Sequence, residues 1–210
     1  MPISYKHKFK FIHIPKTGGT SLEVVFDLQH ENNLYQPRFS HKIKGVSFAP
    51  QHFTHNMIDY FKPECKDYFS FTVVRNPFTK IISEYFYINN ILSGFSEVIM
   101  GTVGKYIKEF DEGDFNKWLD TSLVEFDIDH KLPQSTFIDK RVDMVLKLEN
   151  IEEDFNRLNL KLGTNYRLIH ENKSSISKKD IVNNLSKNTK EKIYNIFKKD
   201  FINFEYESNI

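Results

Sequence analysis

The stretch "FKFIHIPKTGGTSLE", residues 9–23, constrains the fold more than any other part of the chain. Phe9 to Ile14 reads as a buried strand, Pro15 to Gly19 as a turn, and a helix is expected from about Thr20 to Leu28. A strand end and a helix start must therefore meet across a glycine turn. The same alternation recurs downstream. Tyr68 to Val74, rich in aromatic and β-branched residues, reads as a second strand ending at "RNP". Asn76 is placed to cap a helix whose first residue is Pro77, with Phe78, Ile81, Ile82, Tyr85 and Phe86 at helical spacing. Val142 to Leu148 reads as a third strand, followed by a capping-box pattern at Asn150 and Glu153 and a helix end at Gly163. Thr189 to Lys199 reads as a helix with Ile193, Ile196 and Phe197 on its apolar face. Strands alternating with helices predict an α/β fold, a central parallel sheet flanked by helices, with ligands at the carboxyl ends of the strands. One domain is expected over residues 1–210, with a helical insertion at about 91–129, where the alternation breaks.

Composition agrees with one core: 210 residues, 40% hydrophobic and 15% aromatic. Lys and Arg number 29 against 28 Asp and Glu, a net charge of +1, so no global field draws the chain to nucleic acid and any anion site is local. The one cysteine, Cys65, cannot form an internal disulfide, and there is no signal-peptide core or apolar run of membrane-spanning length. A cytoplasmic setting without an integral membrane segment is expected.

The turn after the first strand has the parts of an anion cradle. Gly18 and Gly19 allow close backbone approach, the first helical N–H groups are unpaired, and the helix dipole favours negative charge. Lys16 adds a point charge, and Thr17, Thr20 and Ser21 add hydroxyl donors. A triphosphatase loop, GxxxxGK[ST], carries its lysine after the glycines, whereas this chain carries it before them.

"HIPKTGGTS" resembles the phosphosulfate loop of sulfotransferases that use 3'-phosphoadenosine 5'-phosphosulfate (PAPS), in its carbohydrate-sulfotransferase version. "VVRNPFTKIISEYFY" resembles that family's 3'-phosphate motif, with Arg75 at the strand end and Ser83 on the next helix. "LPQSTFID", "LKLENIEEDFNRL", "HENKSS" and "IYNIFKKDFINFEY" resemble its later blocks. The resemblance implies a P-loop-like sulfotransferase fold and in-line transfer of a sulfuryl group from PAPS to a hydroxyl, of a sugar or glycan, with PAP as product and no metal required. It also implies that Lys16 faces the leaving oxygen. One position departs: Lys80 stands where the family commonly has arginine, which loses the planar fork, so Lys80 is left out of the core site.

An acceptor hydroxyl must lose a proton, and eight histidines are candidates for the base. His13, inside the first strand, reads as a core or strand-end histidine. His52, in "APQHFTHNMIDYF", lies between a loop and a helix, where the resembling enzymes carry their base; His55 is the reserve. Without an accompanying carboxylate or cysteine pattern the pair carries only a weak metal signal. Gln134 is a candidate for meeting the acceptor and Asn172 to Ser174 for covering the nucleotide, with loop hydrogen bonding equally open for both. Glu149 and Asn150 read as helix-cap residues, and the lysines between Lys173 and Lys199 as a solvated face. Two other readings stand beside transfer from PAPS: a small-molecule or nucleoside kinase, and a non-catalytic nucleotide- or glycan-binding module.

Overall fold

The computed structural model describes residues 1–28, 41–43, 45–92, 109–120, 129–169, 177–208 and 210. Strands β1 (Ile3–Ser4) and β2 (Phe9–Ile12) precede helix α1 (Gly19–Val25), and β3 (His41–Ile43) and β4 (Val46–Phe48) form a separate antiparallel pair. Helix α2 (His55–Phe61), strand β5 (Phe69–Val74) and helix α3 (Pro77–Leu92) follow. The chain continues through α4 (Glu112–Asp120), β6 (Met144–Lys147), α5 (Ile151–Leu162), α6 (Lys178–Asn184) and α7 (Lys187–Asn203).

The main sheet has the order β1-β2-β5-β6. β5 is parallel to β2, with Phe11 opposite Phe71, and β6 is parallel to β5, with Val73 opposite Leu146. β1 departs from the all-parallel expectation. It runs antiparallel, pairing Ser4 with Phe9, because the few residues between them can form a turn but not a crossover. The sheet is therefore mixed, mostly parallel, with helices around it.

Side-chain alternation along the strands sorts the core. Phe9, Phe11, Phe71, Val73 and Leu146 pack with Leu22 and Phe26 beside α1 and with Phe155 and Leu158 of α5. Ile12 and Val74 belong to a second cluster with Phe53, Met57, Ile58 and Phe137. A third joins α3, α4 and α7 through Ile81, Ile82, Tyr85, Phe115, Ile193 and Phe201.

Several local signals act as expected. Asn76 Oδ1 accepts from the Phe78 amide at 3.0 Å ahead of α3, and Gly163 ends α5 in the left-handed region at φ 65°. The expected capping box does not form. Asn150 leaves a short 3-10 turn at φ −120°, ψ 26°, a backbone that does not present its side chain to the helix, and it makes no side-chain cap. Instead Asp154 Oδ2 accepts from the Lys147 amide at 2.8 Å. Of the segment read as an insertion, α3 continues to Leu92 and α4 is helical; residues 93–108 and 121–128 lie outside the described residues. Among the described residues no helix is long and apolar enough to cross a membrane.

Candidate active site

β2 and β5, being parallel and adjacent, deliver their following turns to the same edge of the sheet. After β2 the backbone takes a left-handed step at Lys16, φ 64°, and again at Gly18, φ 84°, before α1 begins. A lysine at positive φ is uncommon and marks a turn shaped by its surroundings. The amides of Thr17, Gly18, Gly19 and Thr20 donate to no protein acceptor among the described residues. They remain available to an anion. Thr20 and Ser21 are half-buried at the helix start. Thr17 is a correction: its side chain is buried and its Oγ1 donates to Ile14 O at 2.8 Å, so it braces the turn and offers a ligand its amide rather than its hydroxyl. Gly19 is refined too. A Cβ there would overlap the His13 ring, so the missing side chain makes room for histidine and not for a ligand.

Arg75, just beyond β5, donates from Nη1 to Lys16 O at 3.1 Å and from Nε to Thr79 Oγ1 at 3.0 Å. Its backbone is clasped by Gln134, whose Oε1 accepts from Arg75 N and whose Nε2 donates to Arg75 O, both at 2.8 Å. Gln134 is fully buried in this role, which is the loop hydrogen bonding that stood open beside contact with an acceptor. Glu149 likewise holds the turn rather than a helix cap: its two oxygens accept from Asn76 N and Tyr206 Oη, each at 2.8 Å. Ser83, half-buried on α3, makes no protein hydrogen bond among the described residues.

Three cations converge here. Burial lowers the Lys16 ammonium to about 8, with Glu84 opposing and Arg75 and Lys80 reinforcing the shift. Lys178, the first residue of α6, is also lowered to about 8, by burial and then by Arg75 and Lys16, with no carboxylate among the described residues offsetting it. Burial lowers Arg75 as well, against the pull of Glu149. Mutual repulsion at this point is what an anionic ligand relieves. Lys178 was hidden in the sequence among lysines that read as a solvated face. Lys80 is different. Buried, it donates from Nζ to the carbonyls of His130 at 2.9 Å and Leu132 at 3.4 Å, so it secures a loop instead of meeting a ligand.

The other half of the site is made of imidazoles and carboxylates. His52 is buried at the end of the Pro50–His52 turn, its Nδ1 3.1 Å from Asp129 Oδ2. Burial lowers its basicity while Asp129 pulls it up, and the net shift is downward, which favours neutral imidazole. Burial opposes ionisation of Asp129, yet the charge and hydrogen bond of His52, with His130, hold its carboxyl below the usual range. His130 Nδ1 lies 2.9 Å from Glu84 Oε2, and its ring stacks on Tyr87 at 5.3 Å. Lys16 Nζ sits 3.9 Å from the centre of that Tyr87 ring, joining the cationic half to the imidazole half.

His13 is the buried strand-end histidine, with Nδ1 2.6 Å from Glu23 Oε1. Gln51 Nε2 donates to both Glu23 oxygens, at 3.1 and 2.9 Å, which fixes the turn carrying His52. His55 lies in a separate network. Its ring nitrogens face Lys10 Nζ at 3.2 Å and Asp139 Oδ2 at 3.3 Å, with Asp59 and Arg141 close by. Asn172 to Ser174 fall outside the described residues.

The arrangement can bind an oxyanion with Lys16, Arg75, Lys178 and the turn amides, and can take a proton with His52 oriented by Asp129. Asp129, His130, Glu84 and Lys178 join the site only through tertiary contact, and no spacing in the sequence announces them. No curated protein and no solved structure matches the chain significantly. A family model does, the sulfotransferase family, over residues 1–207. With nearly the whole sequence covered, the chain belongs to the sulfotransferase family.

Proposed function

We propose that this sulfotransferase takes its sulfuryl group from PAPS and delivers it to the hydroxyl of a sugar or glycan, with His52 as the base. The observation that carries this reading is the meeting of Lys16, Arg75 and Lys178, where burial and then neighbouring cations lower both lysines, beside the His52–Asp129 pair. Bound there, PAPS supplies an activated sulfuryl group and a phosphate leaving group. The turn amides from Thr17 to Thr20 and the Lys16 ammonium hold the phosphosulfate oxygens. Arg75 and Ser83 hold the 3'-phosphate, and Lys178 adds charge to the same pocket. Asp129 keeps the Nδ1 proton of His52 in place, so Nε2 carries the lone pair that accepts the acceptor's proton. Lys16 then faces the charge that develops on the leaving oxygen. The sugar acceptor rests on the likeness of "HIPKTGGTS" to the carbohydrate branch.

Turnover of labelled PAPS with a panel of glycan and small hydroxyl acceptors tests the proposal. Stabilisation by PAP without response to ATP and magnesium supports it over a kinase, and sulfated product supports it over a binding module. Binding of PAP without transfer to any acceptor would leave the binding-module reading.

A further inference from the structure

We propose that His52, Asp129 and His130 form a three-ligand site for a divalent transition-metal ion of the zinc class, and that occupancy of this site switches off His52 as a base. The metal binding stands on geometry alone; the switching rests on the function proposed above.

One ligand atom from each residue lies within 4.8 Å of the others. A four-coordinate ion with bonds of about 2.0–2.2 Å sets its ligand atoms roughly 3.3 Å apart, so small side-chain movements close the set. His52 Nδ1 and Asp129 Oδ2 are already 3.1 Å apart, and Asp129 Oδ1 lies 3.8 Å from His130 Nε2. Two imidazoles with one carboxylate suit zinc, cobalt or copper better than magnesium or calcium, which take oxygen sets.

The partner of His130 supplies a second, independent pointer. Nδ1 faces Glu84 Oε2 at 2.9 Å, and a proton placed there leaves Nε2 as a bare lone pair turned toward the Asp129 carboxylate. Two acceptors then face one another beside the half-buried His130 ring, an arrangement that either a second proton on Nε2 or a metal ion between them relieves. A carboxylate behind a ligating histidine is also the usual support of such a ligand. Glu84 is fully buried, and its Oε1 has no hydrogen-bond partner among the described residues.

The chemical consequence follows from His52. As a base it needs its proton on Nδ1, directed at Asp129, and its lone pair on Nε2. A metal ion on Nδ1 would take the place of that proton with Asp129 as a further ligand, and the single ring proton of the neutral imidazole would then be carried on Nε2 instead. Nε2 then has no lone pair to offer.

Cobalt titration of the metal-stripped full chain, read by visible absorption, tests the binding, with zinc competing the cobalt off. One ion per chain with a strong tetrahedral-type band is expected. Asp129→Asn and His130→Ala should each weaken cobalt at least about a hundredfold, and Glu84→Gln about ten- to a hundredfold. Absence of a stoichiometric band in the wild type, or retention of affinity in folded Asp129→Asn and His130→Ala, overturns the site. Should those variants not fold, imidazole nitrogen spectra of the wild type decide: zinc must shift His52 and His130, and shifts confined to other histidines overturn it. Turnover is read separately. Zinc binding with undiminished sulfuryl transfer overturns the switch, whereas zinc binding by a protein inactive toward PAPS keeps the site and rejects the function.

Discussion

The Nη1 of Arg75 donates to the backbone carbonyl of Lys16 at 3.1 Å, so the arginine after β5 holds the turn after β2 in its left-handed step. With Nε given to Thr79 and the backbone clasped by Gln134, the guanidinium presents its remaining edge from a fixed position. Arg75→Ala should weaken PAP about tenfold to a hundredfold, the equivalent of about 1.5–3 kcal/mol for a hydrogen bond to a charged group. Adenosine 5'-phosphate, lacking the 3' group, should lose much less, and Ser83→Ala should show the same selectivity at smaller size. Titration of both nucleotides into each variant measures this. Equal losses would confine Arg75 to bracing the turn.

Lys16 should matter more to the transition state than to binding, because charge grows on the leaving oxygen as the sulfuryl group departs. Lys16→Ala is expected to lower kcat more than it raises the Kd for PAP. Near-normal turnover in this variant would remove Lys16 from the chemistry.

For His52, loss of a positioned base typically costs about 10²- to 10⁴-fold in rate, so His52→Ala should approach inactivity while still binding PAP. Asp129→Asn should lower kcat too, by weakening the hold on the Nδ1 proton. His55→Ala should act through stability, because both its ring nitrogens are engaged by Lys10 and Asp139. A melting-temperature loss without a turnover loss per folded molecule is the expected pattern for His55. The reverse would exchange the two roles.

The parts of this site that lay within one strand–turn–helix unit were legible. Lys16 and Gly18 are announced by the turn they make, and Arg75 by the strand end before Pro77. Residues that reach the site through chain closure were not. Asp129 stood at the edge of an apparent insertion, and nothing in periodicity says that it returns to His52. Lys178 looked like its neighbours, because only the approach of α6 to the cradle distinguishes it. For Gln134 the sequence leaves contact with an acceptor and loop hydrogen bonding equally open, and the structure decides for the second. Its amide matches a backbone amide in both donor and acceptor, and it pairs with Arg75 as another strand would. β1 carries no sequence signal, because its two residues, Ile3 and Ser4, are too few to show a period.

The two glycines of the turn should respond differently to alanine. At Gly18 the cost is the left-handed backbone, about 1–2 kcal/mol, plus a Cβ 2.8 Å from Leu148 Cδ1, a flexible tip that can move. At Gly19 a Cβ would overlap the ring of His13, which is pinned by Glu23 at 2.6 Å and stacked on Phe11 at 5.4 Å. Overpacking against a ring that cannot yield typically costs about 1–3 kcal/mol and here also disturbs the turn carrying His52 through Glu23 and Gln51. Gly19→Ala should therefore lose more melting temperature and more activity than Gly18→Ala. The opposite order in thermal unfolding would show that the His13 ring is free to move.

Nucleotide binding should also move protons, and the sign follows from the lysines. Lys16 and Lys178 are both lowered to about 8, chiefly by burial and then by neighbouring cations, so near pH 8 each is about half charged in the free protein. A bound phosphate favours the ammonium form and raises both values, while PAP itself is fully ionised at that pH. Binding at pH 8 must then take protons up, to a total of about one for the two lysines together. Affinity should be greatest well below pH 8 and fall as the pH rises through it, since the charged form must be regained from an increasingly neutral pair. Calorimetry in buffers of different ionisation enthalpy measures the uptake directly, and Lys178→Ala should roughly halve it. Zero uptake in the wild type at pH 8, with PAP bound, would mean that the phosphates do not contact these lysines, and the cradle would have to be drawn without Lys178.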